Sequence, residues 1–441
     1  MASTSPQQTI LILYTTLYRE GGTKFQQAAQ TMEAEKKKSH PDKKIVSSVV
    51  ESKAAFLAEI EKVTQANSQI TELHFIGHSG MYGIMFGSTE WPEQFSPHEW
   101  RQMQIPFAPE AKAFFHACRT GRWFAPFFAR TFNVPTYGYF WYTTLSRFAH
   151  RYTWDVMIRP ADPIYIVSVP GKKSHGLSGL VKKHFTRPMA FPLLEFLPTK
   201  EEVDTTYDSV AHLYDQTFED ISVRQDELNW LRGHLEKIKS PKILDIGCGT
   251  GSFLRGVRDL VDEAHGVDLS AGMVAHAAKR SEGDAKVQFK KIDGPALPYP
   301  DNSFDVVTSV LSFRYLDWDP IVQEILRVLK PGGQLMVIDM VAAPVKISEW
   351  PVFFKDKIRE RLTRTNNASF NRALNKMVND SRWKKMLEYN PIRAEHEYKW
   401  YLMSRFPGSE LKVINYAYHS RILAFCSPPI HHKTVARLTY P

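Results

Sequence analysis

Cysteine is scarce. Cys118, Cys248 and Cys426 are the only three in 441 residues, far apart and with no C-x-x-C pair. That excludes a disulfide framework, argues against a structural zinc site, and suits a reducing compartment. There is no apolar run of about 20 residues to span a bilayer. No basic segment followed by an apolar one succeeds Met1 to direct export, so cytoplasmic residence is the expectation. No repeat of solenoid period occurs. What is present is the composition of an ordinary folded chain, 43% hydrophobic and 23% charged, long enough for two or three domains with separate cores. Basic residues outnumber acidic ones by 56 to 47, a net charge of +9, which permits an anionic partner without identifying one.

Both halves alternate short β-rich runs with helical stretches, the pattern of an α/β chain with helices packed on parallel sheets. In the first half the runs predict strands at Thr9–Thr16, Lys44–Val50, Leu73–Gly77, Ala113–Ala117, Val134–Tyr139 and Ile164–Val169. Helices are expected over about 23–38 and over Lys53–Gln65, the latter capped by Ser52. Residues 171–204 are basic and broken by proline, and read as a linker between a domain at 1–170 and another at 205–441. Within it Leu177, Leu180, Val181 and Phe185 lie beside Lys182, Lys183 and His184, either a helix docked between domains or a membrane-surface amphipath. The second half predicts strands at Lys242–Ile246, Ala264–Asp268, Val287–Ile292, Asp305–Val310 and Gln334–Met340. A helical insertion follows at 341–408. The closing runs, Leu411–Tyr418 and Arg421–Cys426, are too close for a parallel crossover and must form an antiparallel hairpin.

The stretch Ile243-Leu-Asp-Ile-Gly-Cys-Gly-Thr-Gly251 sets a glycine turn between a strand and a helix, where backbone can approach a ligand closely at the carboxyl edge of a sheet. Its G-x-G-x-G spacing is not the G-x-G-x-x-G of a dinucleotide site. Asp245, inside the strand, suits a cationic amine better than a phosphate. Asp268, ending the next strand, suits two ribose hydroxyls, and Asp293-Gly294 after the third offers a carboxylate to an adenine amino group. Taken in order, ILDIGCGTG, GVDLS, DNSFDVV and RVLKPGG make residues 205–428 resemble class I S-adenosylmethionine-dependent methyltransferases of the small-molecule type. The resemblance implies a Rossmann-like sheet with a terminal hairpin. It also implies S-adenosylmethionine as cofactor, held by Tyr214, Asp245, Gly247, Gly249, Gly251, Asp268, Leu269, Asp293, Gly294 and Ser309. Tyr207-Asp208 and Tyr214-Asp215 resemble the helix that covers the cofactor in such enzymes, and 341–408 would be a substrate lid. That insertion holds 14 Lys or Arg against 7 Asp or Glu, interleaved with Trp350, Phe353, Phe354, Trp383, Tyr389, Trp400 and Tyr401. An anionic or aromatic small-molecule acceptor suits it. A solvated basic face explains the charge as well, and no RNA-binding module accompanies it. For transfer to oxygen or nitrogen, Tyr207, His212, Tyr214, Arg314, Tyr315 and His396 are the neighbours to consider as a base.

In the first half, Leu73-His-Phe-Ile-Gly-His78-Ser-Gly80 and Ala113-Phe-Phe-His-Ala-Cys118-Arg-Thr-Gly121 each end a strand in a turn. An imidazole and a thiol leaving one sheet edge form a base and a nucleophile, with Gly80 available for an oxyanion hole. A serine-hydrolase elbow is excluded because Met81 stands where G-x-S-x-G needs glycine. HACRTG and the His turn make residues 9–168 resemble the caspase-like cysteine peptidases, including bacterial CHAT-type members, although Ser79 separates His78 from Gly80. The resemblance implies a catalytic pair of His78 and Cys118. The leading expectation is a methyltransferase whose caspase-like domain serves recognition, a protein partner or a second activity. A cysteine peptidase with an S-adenosylmethionine-sensing domain and a non-catalytic binding scaffold are the alternatives.

Overall fold

The computed structural model describes residues 6–80, 82–151, 159–169, 189–199, 207–218, 221–343, 345, 347–355, 357–358, 368–389, 392–417 and 419–431. Two compact units divide the chain, Met1–Glu201 and Glu202–Pro441.

The first unit is built on β1 (Gln7–Tyr14), β2 (Lys44–Val49), β3 (Ser68–Ile76), β4 (Phe107–His116), β5 (Thr136–Gly138), β6 (Tyr142–Ser146), β7 (Tyr165–Val169) and β8 (Leu194–Phe196). Its main sheet runs β2-β1-β3-β4-β5-β8. The first five strands are parallel and β8 is antiparallel to β5. β1 is an interior strand covered on both faces, which is why Ile10, Leu11, Ile12 and Leu13 form an unbroken apolar run and are all fully buried. The helices Gly22–Ser39 and Lys53–Gln65 supply that cover, and Ser52 caps the second by accepting from the Ala55 N–H at 3.0 Å. Under the second lies an aromatic core of Phe56, Phe75, Phe86, Phe95, Trp100 and Phe115.

Two expectations need correction here. The run at 164–169 does form a strand, but β7 pairs antiparallel with β6 in a separate two-stranded ribbon. The sixth strand of the main sheet comes instead from inside the supposed linker, where Leu194–Phe196 pairs with Thr136–Gly138 and the Tyr137 hydroxyl donates to Glu195. Residues 171–204 are therefore not all linker. The amphipathic run from Leu177 to Phe185 lies outside the described residues.

The second unit contains β9 (Lys242–Ile246), β10 (Glu263–Asp268), β11 (Val287–Lys291), β12 (Phe304–Val310), β13 (Leu329–Ala342), β14 (Glu410–Tyr416) and β15 (Ser420–Cys426). They form one sheet, β11-β10-β9-β12-β13-β15-β14. The first five are parallel, and β15 is antiparallel to both β13 and β14. β13 starts earlier than expected: Leu329 already pairs with Phe304, and the ladder resumes at Val306 and Gln334 after an irregularity where Gly332 takes φ +85°. Between 341 and 408 the described helices are Ala368–Asn379, Ser381–Tyr389 and Glu395–Arg405, with further helical residues at 350–355 and 357–358. Among the described residues no helix is long and apolar enough to cross a membrane. The strand order reverses direction between β9 and β12, and an open α/β sheet has its crevice there, beyond the carboxyl ends of the strands.

Candidate functional site

The glycine turn fills the mouth of that crevice. Gly247 donates its N–H to the Val267 carbonyl at 2.8 Å, and Gly251 closes the loop onto the Cys248 carbonyl at 2.9 Å. Gly247 has φ +71°, and a Cβ there would lie 2.5 Å from Cβ and Oγ of Ser312. Gly249 has φ +54°, yet a Cβ there would meet only Tyr214 Cε1, at 3.7 Å. The first glycine thus lets two segments approach, and the second leaves bare backbone under an aromatic ring.

Asp268 stands beside this backbone. Its Oδ2 accepts from the Gly249 N–H and its Oδ1 from the Ser270 N–H, each at 2.9 Å. Burial raises its pKa, the two N–H groups oppose that, and the Asp208 carboxylate adds to the rise. Asp208 is itself tied down by the Ser270 hydroxyl at 2.5 Å and the Gly272 N–H at 3.0 Å. Asp245 lies deeper. Its Oδ1 accepts from the Thr308 hydroxyl at 2.7 Å, and burial pushes its carboxyl up to about 7, with Thr308 opposing and Asp268 contributing. Leu269 is exposed next to Asp268. Asp293 and Gly294 follow β11, with Asp293 exposed and ion-paired to Lys291.

Ser309 does not join this group. It is fully buried, and its hydroxyl donates to the Ile246 carbonyl at 3.0 Å and neighbours Ser312 Oγ at 2.8 Å. It caps the end of β9 from β12, which spends its hydrogen bond inside the protein.

Aromatic rings cover the turn. Tyr214, on the helix Ala211–Phe218, lies 6.0 Å from the Tyr207 ring and is stacked with Trp383 at 6.4 Å. Tyr207 in turn meets Tyr315 at 6.0 Å and Trp383 at 5.9 Å. Burial first, and the neighbouring tyrosine Tyr315 in each case, raise the Tyr207 and Tyr214 hydroxyls above their ordinary range. They are proton donors at neutral pH. His212 and His396, weighed as bases, both sit on exposed positions, and His396 packs on Trp400 at 4.6 Å.

Behind Tyr315 lies a network that sequence reasoning missed. Asp339, on β13, is fully buried and accepts from the Arg314 N–H at 2.6 Å, from the Arg314 guanidinium and from the Tyr398 hydroxyl. The Arg314 guanidinium lies 4.4 Å from the Tyr315 ring centre. Leu311, at the start of this turn, holds φ +60°. One signal was available: an aspartate within the apolar run MVIDMVA needs a buried partner.

In the first unit, Ile76 and His116 are register partners on β3 and β4, so His78 and Cys118, each two residues on, leave the same edge of the sheet. No hydrogen bond joins them. His78 Nε2 donates to the Glu20 carbonyl at 3.0 Å, its ring packed edge-on to Phe25 and Tyr18. Burial holds this imidazole below its usual range, the Glu20 carbonyl opposing and Arg19 adding to the fall. Cys118 Sγ receives the Thr143 N–H at 3.3 Å and lies 3.2 Å from the Thr143 hydroxyl, while Ser79 ties the two turns by donating to the Cys118 carbonyl. The sequence reading also missed a buried pair within β3 and β4, His74 Nδ1 and His116 Nε2, 3.2 Å apart. Among the described residues no group of three or more His, Cys, Asp or Glu is placed to hold a metal ion.

Residues 244–337, which run from β9 into β13, match the family described as Methyltransferase domain. The chain is 31% identical over 150 residues to demethylmenaquinone methyltransferase of Clavibacter sepedonicus, a match covering 33% of this chain and 61% of that protein. It is 31% identical over 170 residues to 27-O-demethylrifamycin SV methyltransferase of Amycolatopsis mediterranei, again covering 33% and 61%. A solved SAM dependent methyltransferase from Aquifex aeolicus is 16% identical, with 50% of this chain and 98% of that one covered and a TM-score of 0.34. The chain spans about three fifths of the length of these two curated relatives.

Proposed function

We propose that the second unit transfers a methyl group from S-adenosylmethionine to a small acceptor. The observation that carries this reading is Asp268 and the Gly249 backbone, locked together at the mouth of the switch-point crevice. S-adenosylmethionine supplies a methyl group already activated on a sulfonium, so the chain has to align, enclose and exclude water and does not have to activate the donor. Asp268 accepts from ribose hydroxyls, Asp245 answers the amine, Asp293 the adenine, and Gly247, Gly249 and Gly251 keep the backbone close. Tyr207, Tyr214 and Trp383 shut out water. Tyr207 and Tyr214 are held protonated, which fits an acceptor that is itself ionised. The basic insertion favours an anionic or aromatic acceptor.

Protons report on this site. The raised Asp245 carboxyl contributes stability that is fully present below the ordinary value of 3.8 and is lost as pH rises to about 7. A cation bound beside it reverses the preference and favours the carboxylate. Calorimetry of the full chain at pH 6, in two buffers of different ionisation enthalpy, should therefore show proton release on S-adenosylmethionine binding, and Asp245→Asn should abolish the release. Absence of any binding would overturn the reading.

A second reading is supported by the register of β3 and β4: the first unit as a caspase-like cysteine peptidase domain with His78 and Cys118 as its pair. Cys118 is partly exposed whereas Cys248 and Cys426 are buried, so preferential labelling by a thiol probe decides nothing by itself. The deciding result is His78→Ala, which should slow Cys118 labelling at pH 7 about tenfold if the imidazole swings from Glu20 to serve the thiol. An unchanged rate would leave the unit a binding domain.

A further inference from the structure

One surface of the insertion has no part in the site above. Glu349 receives a two-pronged ion pair from Arg421 of β15, Nη1 to Oε1 at 3.0 Å and Nη2 to Oε2 at 2.9 Å, and Arg421 is buried. This clamp fixes the start of the helical residues that follow. Phe353 turns inward and is buried, but Trp350, Val352, Phe354 and Ile358 are 37%, 45%, 55% and 63% exposed. The Trp350 and Phe354 rings lie 5.4 Å apart, so they form one apolar patch on the surface. Lys355 is exposed beside it and the Lys357 ammonium lies 5.9 Å from the Phe353 ring, and in the sequence the stretch 346–364 carries six Lys or Arg against three Asp or Glu.

Four large apolar side chains in nine residues, held facing water, are stabilised by any apolar surface that covers them. A nucleic acid would meet the lysines and the rings but has nothing for Val352 and Ile358. An anionic bilayer surface serves both sets, its acyl boundary taking Trp, Phe and Ile and its phosphates taking Lys and Arg. From this charge and apolar complementarity we infer that the segment 350–358 docks the protein on an anionic lipid surface. The inference is independent of methyl transfer and is read without it.

The test is co-sedimentation of the full chain with vesicles of phosphatidylcholine containing about one third phosphatidylglycerol, and with phosphatidylcholine alone. Expected is binding to the anionic vesicles that falls about tenfold or more in the double variant Phe354→Asp, Ile358→Asp, and falls likewise in high salt. Both residues are exposed, so the melting temperature of the variant should match that of the parent and certify its fold. Three results would overturn the inference: no binding to anionic vesicles, equal binding by the variant, or a concentration-dependent dimer that the variant abolishes, which would make a second copy the occupant.

Discussion

Asp268→Ala should weaken S-adenosylmethionine binding about 100-fold or more, measured by titration calorimetry on the full chain. Each carboxylate oxygen uses one lone pair on a backbone N–H, from Gly249 or Ser270, and keeps another for a ligand hydroxyl. Hydrogen bonds to an ionised group contribute roughly 1.5–3 kcal/mol each. Losing two therefore removes about 3 kcal/mol or more, at 1.4 kcal/mol per tenfold in affinity. The substitution also frees the Gly249 N–H that aims the turn. Asp268→Asn keeps the size and one acceptor but turns an NH2 toward a backbone donor, and should fall between the parent and the alanine variant. Unchanged affinity in the alanine variant would remove Asp268 from the cofactor site and take the central support of the methyltransferase reading with it.

Asp339→Ala should be the most destabilising single change in the second unit. The fully buried carboxylate accepts from two groups of Arg314 and from Tyr398, and its removal takes the anionic partner from a buried guanidinium. Breaking a buried pair in this way costs about 3–5 kcal/mol, a large part of the roughly 5–15 kcal/mol that holds a typical domain folded. Hydrogen exchange should accelerate first in the turn at 313–315 and in the helix Glu395–Arg405, which Tyr398 pins to β13. Replacing the pair together, Arg314→Met with Asp339→Leu, should cost less than the single change, because no charge is left without its partner. A loss under about 1 kcal/mol in Asp339→Ala would show that the network is not a buried ion pair in solution.

The two predictions differ in how visible their residues are in the sequence. Asp268 follows a strand-like run and precedes a Ser-capped helix, so local pattern alone places it at a sheet edge, and the spacing from the glycine turn does the rest. Asp339 depends on Arg314, 25 residues away, and on Tyr398, 59 residues away, and no local pattern brings those three together. Ser309 is ambiguous in another way. A hydroxyl at the end of a buried strand looks the same in sequence whether it faces a ligand or a neighbouring carbonyl, and here it faces Ile246. The central strands of the second unit, such as β12 and β13, were legible because buried parallel strands are predominantly apolar runs. β8 was not: it has three residues, one paired edge, and prolines at 192 and 198 on either side. In the ribbon β7 was legible as a strand, but β6 and the pairing were not, since alternation says nothing about which neighbour a strand will choose.

The position of β8 bears on any attempt to take the two halves apart. A cut at residue 170, where the run of regular strands stops in the sequence, would remove Leu194–Phe196 and leave Thr136–Gly138 as the last strand of its sheet. An open row of backbone N–H and C=O groups is a template on which another chain can add a strand, so the isolated half would meet its own copies with an adhesive edge. A cut after residue 199 carries the guard strand along, and only that longer piece has a reason to stay soluble by itself.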